Sequence, residues 1–295
     1  MEVLPLRAFA GVERSGAAFR ASAFDYVVGH AELLPLMYRL RAAGSLVPFA
    51  VVPDFNHVEG EPLLNLLLAS QVAATGDILF TGSVAAAKSF GAFGFKTEPF
   101  YPLGIPTRYF TPAGDRRALR LGMGLPESAA VICYAGRLQA DKAVLELIRS
   151  VGAVASQAEC VLLVAYHIWD EDYRTECAAA ADAAGCVRLI ERPTMSRLRN
   201  IYRASDIFLS AAVSRYETFG RAVAEAMSCG AVPVAPDFDG FAETVGTDAG
   251  RLLPLEGPPD GRRCNLESLI NVVTELVRSP AVVRSMSIRA CCSCD

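Results

Sequence analysis

Short apolar runs alternate with longer stretches of helical hydrophobic periodicity along the whole chain of 295 residues. In a first series, strands are predicted at 25–30, 46–52 and 77–80, and helices at 31–43, 62–74 and 83–91. In a second series, which starts after residue 128, strands are predicted at 130–135, 160–165, 187–190, 206–209 and 232–235. Continuous apolar strands that alternate with helices are typical of parallel sheets covered on both faces, so the pattern predicts an α/β fold.

A stretch rich in proline and glycine separates the two series. Such a stretch resists both hydrophobic periods and commonly marks a linker. The residues that mark it are Pro99, Pro102, Pro106, Pro112, Gly104, Gly114, Gly122 and Gly124. We therefore predict two Rossmann-like domains, residues 1–112 and 113–295, whose parallel sheets face a cleft. Ligands of open α/β sheets bind outside the carboxyl ends of the strands, so the site is expected there.

Composition and charge narrow the class of protein. A hydrophobic fraction of 52% and a mean hydropathy of +0.30 are enough for packed cores and exclude a disordered chain. The 28 basic and 32 acidic residues leave a net charge of −4, which predicts no nucleic-acid partner. No apolar run approaches the roughly 18 residues of a membrane span, and the first residues lack the basic region of a signal peptide.

The nine cysteines are scattered, apart from a CCSCD tail, and predict reduced thiols in a cytoplasmic protein. Cys291 and Cys294 form a CxxC, but no second pair has the spacing of zinc ligands, so no metal is predicted. Whether the protein makes a peripheral contact with a membrane stays open, although no basic region argues for it.

The first candidate site follows the strand predicted at 130–135. Gly136 would let the backbone turn tightly, and Arg137 and Lys142 would meet at the carboxyl edge of the strand, with Lys142 at the start of the next helix. The planar guanidinium of an arginine, which can donate two parallel hydrogen bonds, and the compact ammonium of a lysine together suit a diphosphate. The alternative is a solvated arginine and lysine at a helix start, although a cation there opposes the helix dipole.

The second candidate is the segment ETFGRAVAE, residues 217–225, which is predicted to begin a helix that runs to about Cys229. Gly230 is a suitable residue for the end of that helix. The free backbone N–H groups of a helix start bind phosphate, and here they would belong to Thr218, Phe219 and Gly220.

Two carboxylates of this segment, those of Glu217 and Glu225, would then lie about 80° apart around the helix and roughly two turns apart along it. Carboxylates accept hydrogen bonds from paired sugar hydroxyls, so the two could hold two parts of one extended ligand. The alternative has Glu217 favouring the helix dipole and Glu225 pairing with Arg221 at i,i+4. A third segment, DFDGFAET at 237–244, is either a loop that covers a sugar or a plain loop before a helix.

Taken in order, these motifs resemble those of a known family. GRLxxxK, ETFGRAVAE, EAMSCGAVPVAPDFDGFAE and the closing GRLLP are similar to the motifs of the family-4 (group 1) retaining glycosyltransferases of the GT-B fold, over roughly residues 77–290. The resemblance implies transfer of a hexosyl-type sugar from a nucleoside diphosphate sugar, with retention at the anomeric carbon. It implies neither a metal nor a cofactor, because a basic pair neutralises the diphosphate. The acceptor stays open among a glycan, a lipid and a small molecule.

The resemblance also implies roles for single residues. Arg137 and Lys142 would bind the donor diphosphate and stabilise the leaving nucleotide, an electrostatic effect that is often a large part of catalysis. Glu217 would contact the transferred sugar, and Glu225 would hold the ribose hydroxyls. The remaining donor-binding residues would be Gly136, Thr218, Phe219, Gly220, Arg192 and Pro193, the last two beside the base.

The first domain resembles the family less closely. The strand at 25–30 ends in His30, which resembles the family's functional histidine near the transferred sugar, and His57 is the second choice. The alternative for His30 is a structural hydrogen-bonding role. Only 24 residues precede Asp25, so the opening strands and the glycine-rich loop of the family are expected to be missing. The CCSCD tail stands where the family usually has a longer helix.

Other functions stay open. The chain is alternatively a truncated, non-catalytic fragment, or a module that binds a nucleotide sugar without transferring it. A sugar-nucleotide epimerase on a related fold fits the GRL and E-x7-E motifs less well. Ala165-Tyr166-His167 stands where the family usually has a glycine-rich strand exit. His167 or Trp169 would line the base or sugar region unless they belong to an ordinary surface loop.

Overall fold

The computed structural model describes residues 26–30, 33–42, 44, 46–53, 60–99, 104–214, 217, 219–246, 248–258 and 261–292. The chain divides into two compact units, residues 1–102 and 103–295. Strands and helices alternate in each unit, and the main sheet of each unit is parallel. The predicted α/β class is therefore confirmed.

The first unit is a four-stranded parallel sheet whose strands follow one another in chain order, β1-β2-β3-β4. Its elements are β1 (Val27–His30), α1 (Leu33–Ala42), β2 (Phe49–Val52), α2 (Gly60–Ser70), β3 (Ile78–Thr81), α3 (Val84–Gly91) and β4 (Lys96–Pro99). Its core joins the sheet to the three helices through Leu34, Phe49, Leu66, Leu79 and Phe90, which are all buried.

The second unit begins with α4 and carries the larger sheet. Its elements are α4 (Arg116–Gly122), β5 (Ala130–Leu138), α5 (Val144–Ala155), β6 (Cys160–Ile168), α6 (Glu171–Ala184), β7 (Val187–Glu191), α7 (Met195–Ala204), β8 (Ile207–Leu209), α8 (Arg221–Ser228), β9 (Val232–Pro236), α9 (Gly240–Val245), β10 (Arg251–Leu253), β11 (Leu255–Glu256), β12 (Arg263–Cys264), α10 (Leu266–Arg278) and α11 (Pro280–Cys292). β11 and β12 form a small antiparallel hairpin beside this sheet.

The strand order of the larger sheet is β10-β9-β8-β5-β6-β7. The chain starts in the middle at β5, builds outward through β6 and β7, and then returns to build the other half from β8. This is the doubly wound order, in which the ligand crevice opens where the direction of winding reverses. In this protein the reversal lies between β5 and β8.

Both faces of the larger sheet are buried, as the continuous apolar runs predict. Alternate residues of β5 point into different clusters: Ile132 and Tyr134 into one, Val131 and Cys133 into the other. Helices α5 and α10 contribute to the first cluster, and α7 and α8 to the second. The sheet is therefore packed on both faces, and this packing fixes the positions of the residues at its strand ends.

The structure contains elements that the hydrophobic pattern does not predict. β4, β10 and the β11–β12 hairpin are short or partly exposed strands without a long apolar run. α4 lies inside the predicted linker, where Asp115 caps it by accepting a hydrogen bond from the Ala118 amide at 3.0 Å. Just before α4, Phe110 is 1% exposed and Arg203 Nε donates to the Thr111 carbonyl at 2.6 Å. This stretch is thus packed onto the rest of the second unit, of which it is a part.

The cysteines that the structure describes in full are free thiols, most of them buried. Burial raises the pKa of the Cys133 thiol to about 12. Within the described ranges, no helix is both long enough and apolar enough to cross a membrane.

Candidate active site

The candidate site lies at the carboxyl ends of β5 and β8, on either side of the reversal point of the larger sheet. β5 leads into a 3₁₀ turn at Ala140–Lys142, and β8 leads into the loop that precedes α8. Because the two strands are neighbours in the sheet, residues that are 75 positions apart in sequence meet there.

Gly136 is a residue of β5, not of a turn after it. β5 runs on to Leu138, paired with β6 throughout, so the predicted tight turn at Gly136 is wrong. The glycine is required for a different reason. A Cβ at this position would lie 2.6 Å from the Tyr134 hydroxyl oxygen, and that hydroxyl donates to the Arg137 carbonyl at 2.9 Å.

Arg137 is held by residues on its own side of the crevice. Its Nη1 donates to Gln139 Oε1 at 2.8 Å, and its Nη2 lies 3.4 Å from Asp141 Oδ2. Its guanidinium also lies 5.3 Å from the centroid of the Trp169 ring, which is 66% exposed. The sequence suggested a role for Trp169 beside the base or sugar, and the structure places it against Arg137.

Lys142 ends the 3₁₀ turn and does not belong to the following helix. Ala143 comes next with a left-handed φ of 51°, and α5 begins at Val144. Lys142 Nζ forms an ion pair with Glu217 Oε2 at 2.7 Å, and the two side chains are only 11% and 19% exposed. The structure thus brings together two of the predicted catalytic residues, one from each side of the crevice.

The charges of the crevice balance one another. Arg137 lies beside Asp141, and Lys142 is paired with Glu217. The basic pair predicted from the sequence is present, but each cation has a carboxylate partner in this state. A diphosphate that enters must therefore compete with the two carboxylates for the two cations.

Helix α8 begins at Arg221, so Glu217 precedes it and the predicted 80° relation between Glu217 and Glu225 is wrong. Gly220 caps the helix with a φ of 81°, and a Cβ there would lie 2.7 Å from the Phe241 ring. The Phe219 carbonyl accepts a hydrogen bond from Thr244 Oγ1 at 2.6 Å, which ties the loop to α9. Thr218 lies outside the described residues.

Glu225 is a buried carboxylate with partners for both oxygens. Arg221 Nε donates to Oε1 at 2.9 Å, and the Tyr202 hydroxyl donates to Oε2 at 3.2 Å. The pairing with Arg221 is the alternative that the sequence left open, and it is present here. Tyr202, on α7, was not found by sequence reasoning, because only the packing of α7 on α8 brings it to Glu225.

Burial raises the pKa of Glu225, although Arg221 and Tyr202 partly oppose the shift. A raised carboxyl pKa gives a stability contribution that is complete below the pKa of the unfolded chain and lost as pH rises through the folded pKa. We therefore expect the wild type to lose stability relative to Glu225→Gln as pH rises from about 4 through the raised pKa of Glu225. Urea unfolding across this range measures the difference.

The matched control for this titration is Glu127→Gln, which removes an exposed carboxylate of the same unit. Its stability difference from the wild type should not follow the Glu225 profile. A Glu225→Gln difference that is flat with pH, or that has the opposite slope, would show that burial does not control this carboxyl.

The strand ends on the other side of β5 carry the residues expected beside the base. β5–β6 pairing sets His167 opposite Arg137, and β6–β7 pairing sets Glu191 opposite Tyr166. Arg192 follows with a left-handed φ of 43°, and its amide donates to the Tyr166 carbonyl at 2.7 Å. A left-handed backbone is uncommon for a residue other than glycine.

The side chain of Arg192 is 69% exposed, and Pro193 next to it is partly exposed. In the first unit, His30 is the last residue of β1, paired in register with Val52, and it is exposed. His57 lies outside the described residues. The segment at 237–244 forms the turn into α9, where Asp239 has a φ of 45°.

Sequence reasoning missed two residues that structure places in the crevice. Asp141 lies beside Arg137, and Ser214, in the loop after β8, donates to Asp141 Oδ2 at 2.9 Å. The motif GRLxxxK leaves the position of Asp141 unspecified, and no local pattern marks Ser214. Among the described residues, no group of three or more His, Cys, Asp or Glu side chains could hold a metal ion.

Comparison with known proteins shows which proteins the second unit is similar to. Residues 115–255 match the model of "Glycosyl transferases group 1". A D-inositol 3-phosphate glycosyltransferase of Rhodococcus erythropolis is 28% identical over 247 residues, which are 79% of this chain and 55% of the relative. A protein of the same name from Streptosporangium roseum is 25% identical over 300 residues, 92% of this chain and 65% of the relative. The chain thus spans little more than half the length of the first of these relatives.

Solved structures share the fold. HepE of Anabaena, in complex with UDP, matches with a TM-score of 0.76 at 19% identity, covering 96% of this chain and 76% of HepE. Sucrose-phosphate synthase of Thermosynechococcus elongatus matches with a TM-score of 0.75 at 17% identity, covering 99% of this chain and 75% of the synthase. The fold is that of the GT-B glycosyltransferases, and residues 115–255 of this chain match the group 1 glycosyltransferase model.

Proposed function

We propose that this protein transfers a sugar from a nucleoside diphosphate sugar to the hydroxyl of an acceptor, with retention of the anomeric configuration and without a metal. The observation that carries the proposal is the pair of cations at the reversal point of a group 1 glycosyltransferase domain. Arg137 lies near the end of β5 and Lys142 in the 3₁₀ turn that follows it, at the place where a doubly wound sheet is expected to bind its ligand.

The proposed chemistry uses these cations on the leaving group. The bond between the sugar C1 and the oxygen of the β-phosphate breaks, and a bond from C1 to the acceptor oxygen forms on the same face. The acceptor proton passes to an oxygen of the departing phosphate. Arg137 and Lys142 stabilise the charge that develops on the diphosphate, and this stabilisation is strong where water is excluded.

The carboxylates are proposed to hold the rest of the donor. Glu217 contacts the transferred sugar once the diphosphate has taken its place at Lys142, and Glu225 accepts the ribose hydroxyls. For Glu225 this requires an exchange, because Arg221 and Tyr202 occupy both of its oxygens in the absence of ligand. Arg192 and Pro193 border the base.

The proposed donor is a UDP-sugar. Support for the uracil base comes from HepE, whose structures are in complex with UDP and with UDP-glucose. The names of the curated relatives make D-inositol 3-phosphate the first acceptor to test.

The test is calorimetric titration of the purified chain with UDP, GDP, ADP and TDP. We expect saturable binding of UDP, weakened about tenfold to hundredfold in Arg137→Ala, because a charge-assisted hydrogen bond contributes about 1.5–3 kcal/mol. Arg174→Ala is the matched control, since Arg174 forms a surface pair with Glu171 on α6. If none of the four nucleotides binds, the proposed donor site is wrong.

Turnover is then measured as release of UDP from UDP-glucose in the presence of acceptor, with and without EDTA. We expect release that EDTA leaves unchanged and a product with the anomeric configuration of the donor. Binding without turnover would favour the module that only binds a nucleotide sugar. Inhibition by EDTA would contradict metal independence.

A further inference from the structure

Three residues contact the guanidinium of Arg137, and one of them, Asp141, also contacts the opposite side of the crevice. Gln139 accepts from Nη1, Asp141 lies beside Nη2, and the Trp169 ring packs against the group. Gln139 and Trp169 lie on the same side of the crevice as Arg137, after β5 and β6. Asp141 alone among the three makes a hydrogen bond to the loop after β8, through Ser214 Oγ at 2.9 Å.

The contact to Ser214 closes a ring of interactions around the crevice. Ser214 is 6% exposed, and its carbonyl accepts a hydrogen bond from the Glu217 amide at 2.8 Å. The Glu217 side chain then returns to Lys142, the residue next to Asp141. Asp141 and Lys142, which follow β5, therefore bind Ser214 and Glu217 in the loop after β8.

Asp141 uses one of its two carboxylate oxygens, Oδ2, for the contacts with both Arg137 and Ser214. Asp141 Oδ1 is buried and accepts no hydrogen bond from the residues that the structure describes. Asp141 therefore contacts a predicted catalytic cation and the loop after β8 through the same oxygen, Oδ2, which links the two.

We propose that Asp141 is a positioning residue, which aims the Arg137 guanidinium and couples it through Ser214 to the loop that carries Glu217. The consequence for the donor rests on the proposed function, whereas the coupling itself does not require a ligand. The loop between β8 and α8, which carries Glu217, is then already positioned when a donor binds to Arg137.

Whether removal of Asp141 weakens or tightens the binding of a nucleoside diphosphate distinguishes a positioning role from a purely electrostatic one. Asp141 is an anion beside the expected diphosphate, so by charge alone its removal would tighten binding of a nucleoside diphosphate. If Asp141 positions Arg137, its removal weakens binding. Ser214→Ala is the cleaner variant, because it deletes one hydroxyl and leaves the charge of Asp141 unchanged.

Trp169 provides a readout that needs no ligand. It is the single tryptophan of the chain, and its ring lies against the Arg137 guanidinium. Quenching of its fluorescence by acrylamide is measured in the wild type, Ser214→Ala, Asp141→Ala and Arg137→Ala, without nucleotide. Asp182→Ala, which removes an exposed aspartate on α6, is the matched control.

We expect quenching to increase in Arg137→Ala, because the ring loses its cover, and to change in the same direction in Asp141→Ala and Ser214→Ala. Asp182→Ala should match the wild type. Circular dichroism checks that each variant is folded. Wild-type quenching in both Asp141→Ala and Ser214→Ala, with Arg137→Ala changed, would overturn the proposal.

The same variants are then titrated with UDP. We expect UDP affinity about three- to tenfold lower in Asp141→Ala and in Ser214→Ala, in line with the loss of one hydrogen bond, and no further loss in the double variant. Tighter or unchanged UDP binding in either variant would overturn the positioning role. If no protein binds UDP but quenching changes as expected, the proposed function fails while the coupling of Asp141 to Arg137 stands.

Discussion

Replacing Lys142 by alanine is expected to lower kcat for sugar transfer by roughly 10²–10³-fold, which corresponds to about 2.7–4 kcal/mol of transition-state stabilisation. The side chain is only 11% exposed, so little water screens its charge from a bound diphosphate. Negative charge grows on the diphosphate as the bond to C1 breaks. A cation fixed in this place stabilises the transition state more than the ground state, and the loss should therefore appear in kcat.

The same substitution should also lower folding stability, because it leaves the Glu217 carboxylate, which is only 19% exposed, without its cation. Steady-state release of UDP and urea unfolding measure the two quantities separately. Lys88→Ala, which removes an exposed lysine of α3, is the matched control. A Lys142→Ala enzyme with the kcat of the parent would show that Lys142 has no part in the reaction.

Replacing Glu217 by glutamine is expected to have opposite effects on binding and on transfer. The carboxylate lies 2.7 Å from Lys142 Nζ and competes with the diphosphate for this cation. A neutral amide of the same size leaves Lys142 available, so UDP should bind up to about tenfold more tightly, a gain of about 1.4 kcal/mol. Transfer should fall, because the proposed contact of Glu217 with the sugar loses its charge.

Calorimetry with UDP and the kcat for transfer test the two effects on one preparation. Glu256→Gln, which removes the carboxylate of an exposed pair with Arg263, is the matched control and should change neither. Weaker UDP binding in Glu217→Gln would mean that Glu217 does not compete for Lys142. Unchanged transfer would remove Glu217 from the catalytic residues.

The hydrophobic pattern predicted the fold because strand burial is a local property. Each buried strand of the larger sheet from β5 to β9 has an apolar run in the sequence, and each face of the sheet is covered by helices. The hydrophobic pattern did not predict elements whose residues are only partly buried. β4 carries the polar sequence KTEP and is mostly exposed, and α4 is a single short helix among prolines and glycines.

The positions of the motif residues could be predicted for the same reason, since strand ends can be located from the strands. Arg137, Lys142 and Glu217 lie at the crevice where the predicted strand ends place them. The error concerned the start of α8. ETFGRAVAE has helical periodicity throughout, but Gly220 adopts a φ of 81° and ends the regular helix there. A glycine within a periodic stretch is compatible with either structure, and packing against Phe241 decides which forms.

The sequence by itself determined the α/β fold class and the order of the motifs, because hydrophobic periodicity and the residues that follow each strand are properties of neighbouring positions. Only the tertiary structure decided which charges meet. The pairing of Lys142 with Glu217, the contact of Asp141 with Ser214 and the burial of Glu225 against Tyr202 join residues 75, 73 and 23 positions apart. Such contacts depend on the order of strands in the sheet and on helix packing, which no local pattern encodes.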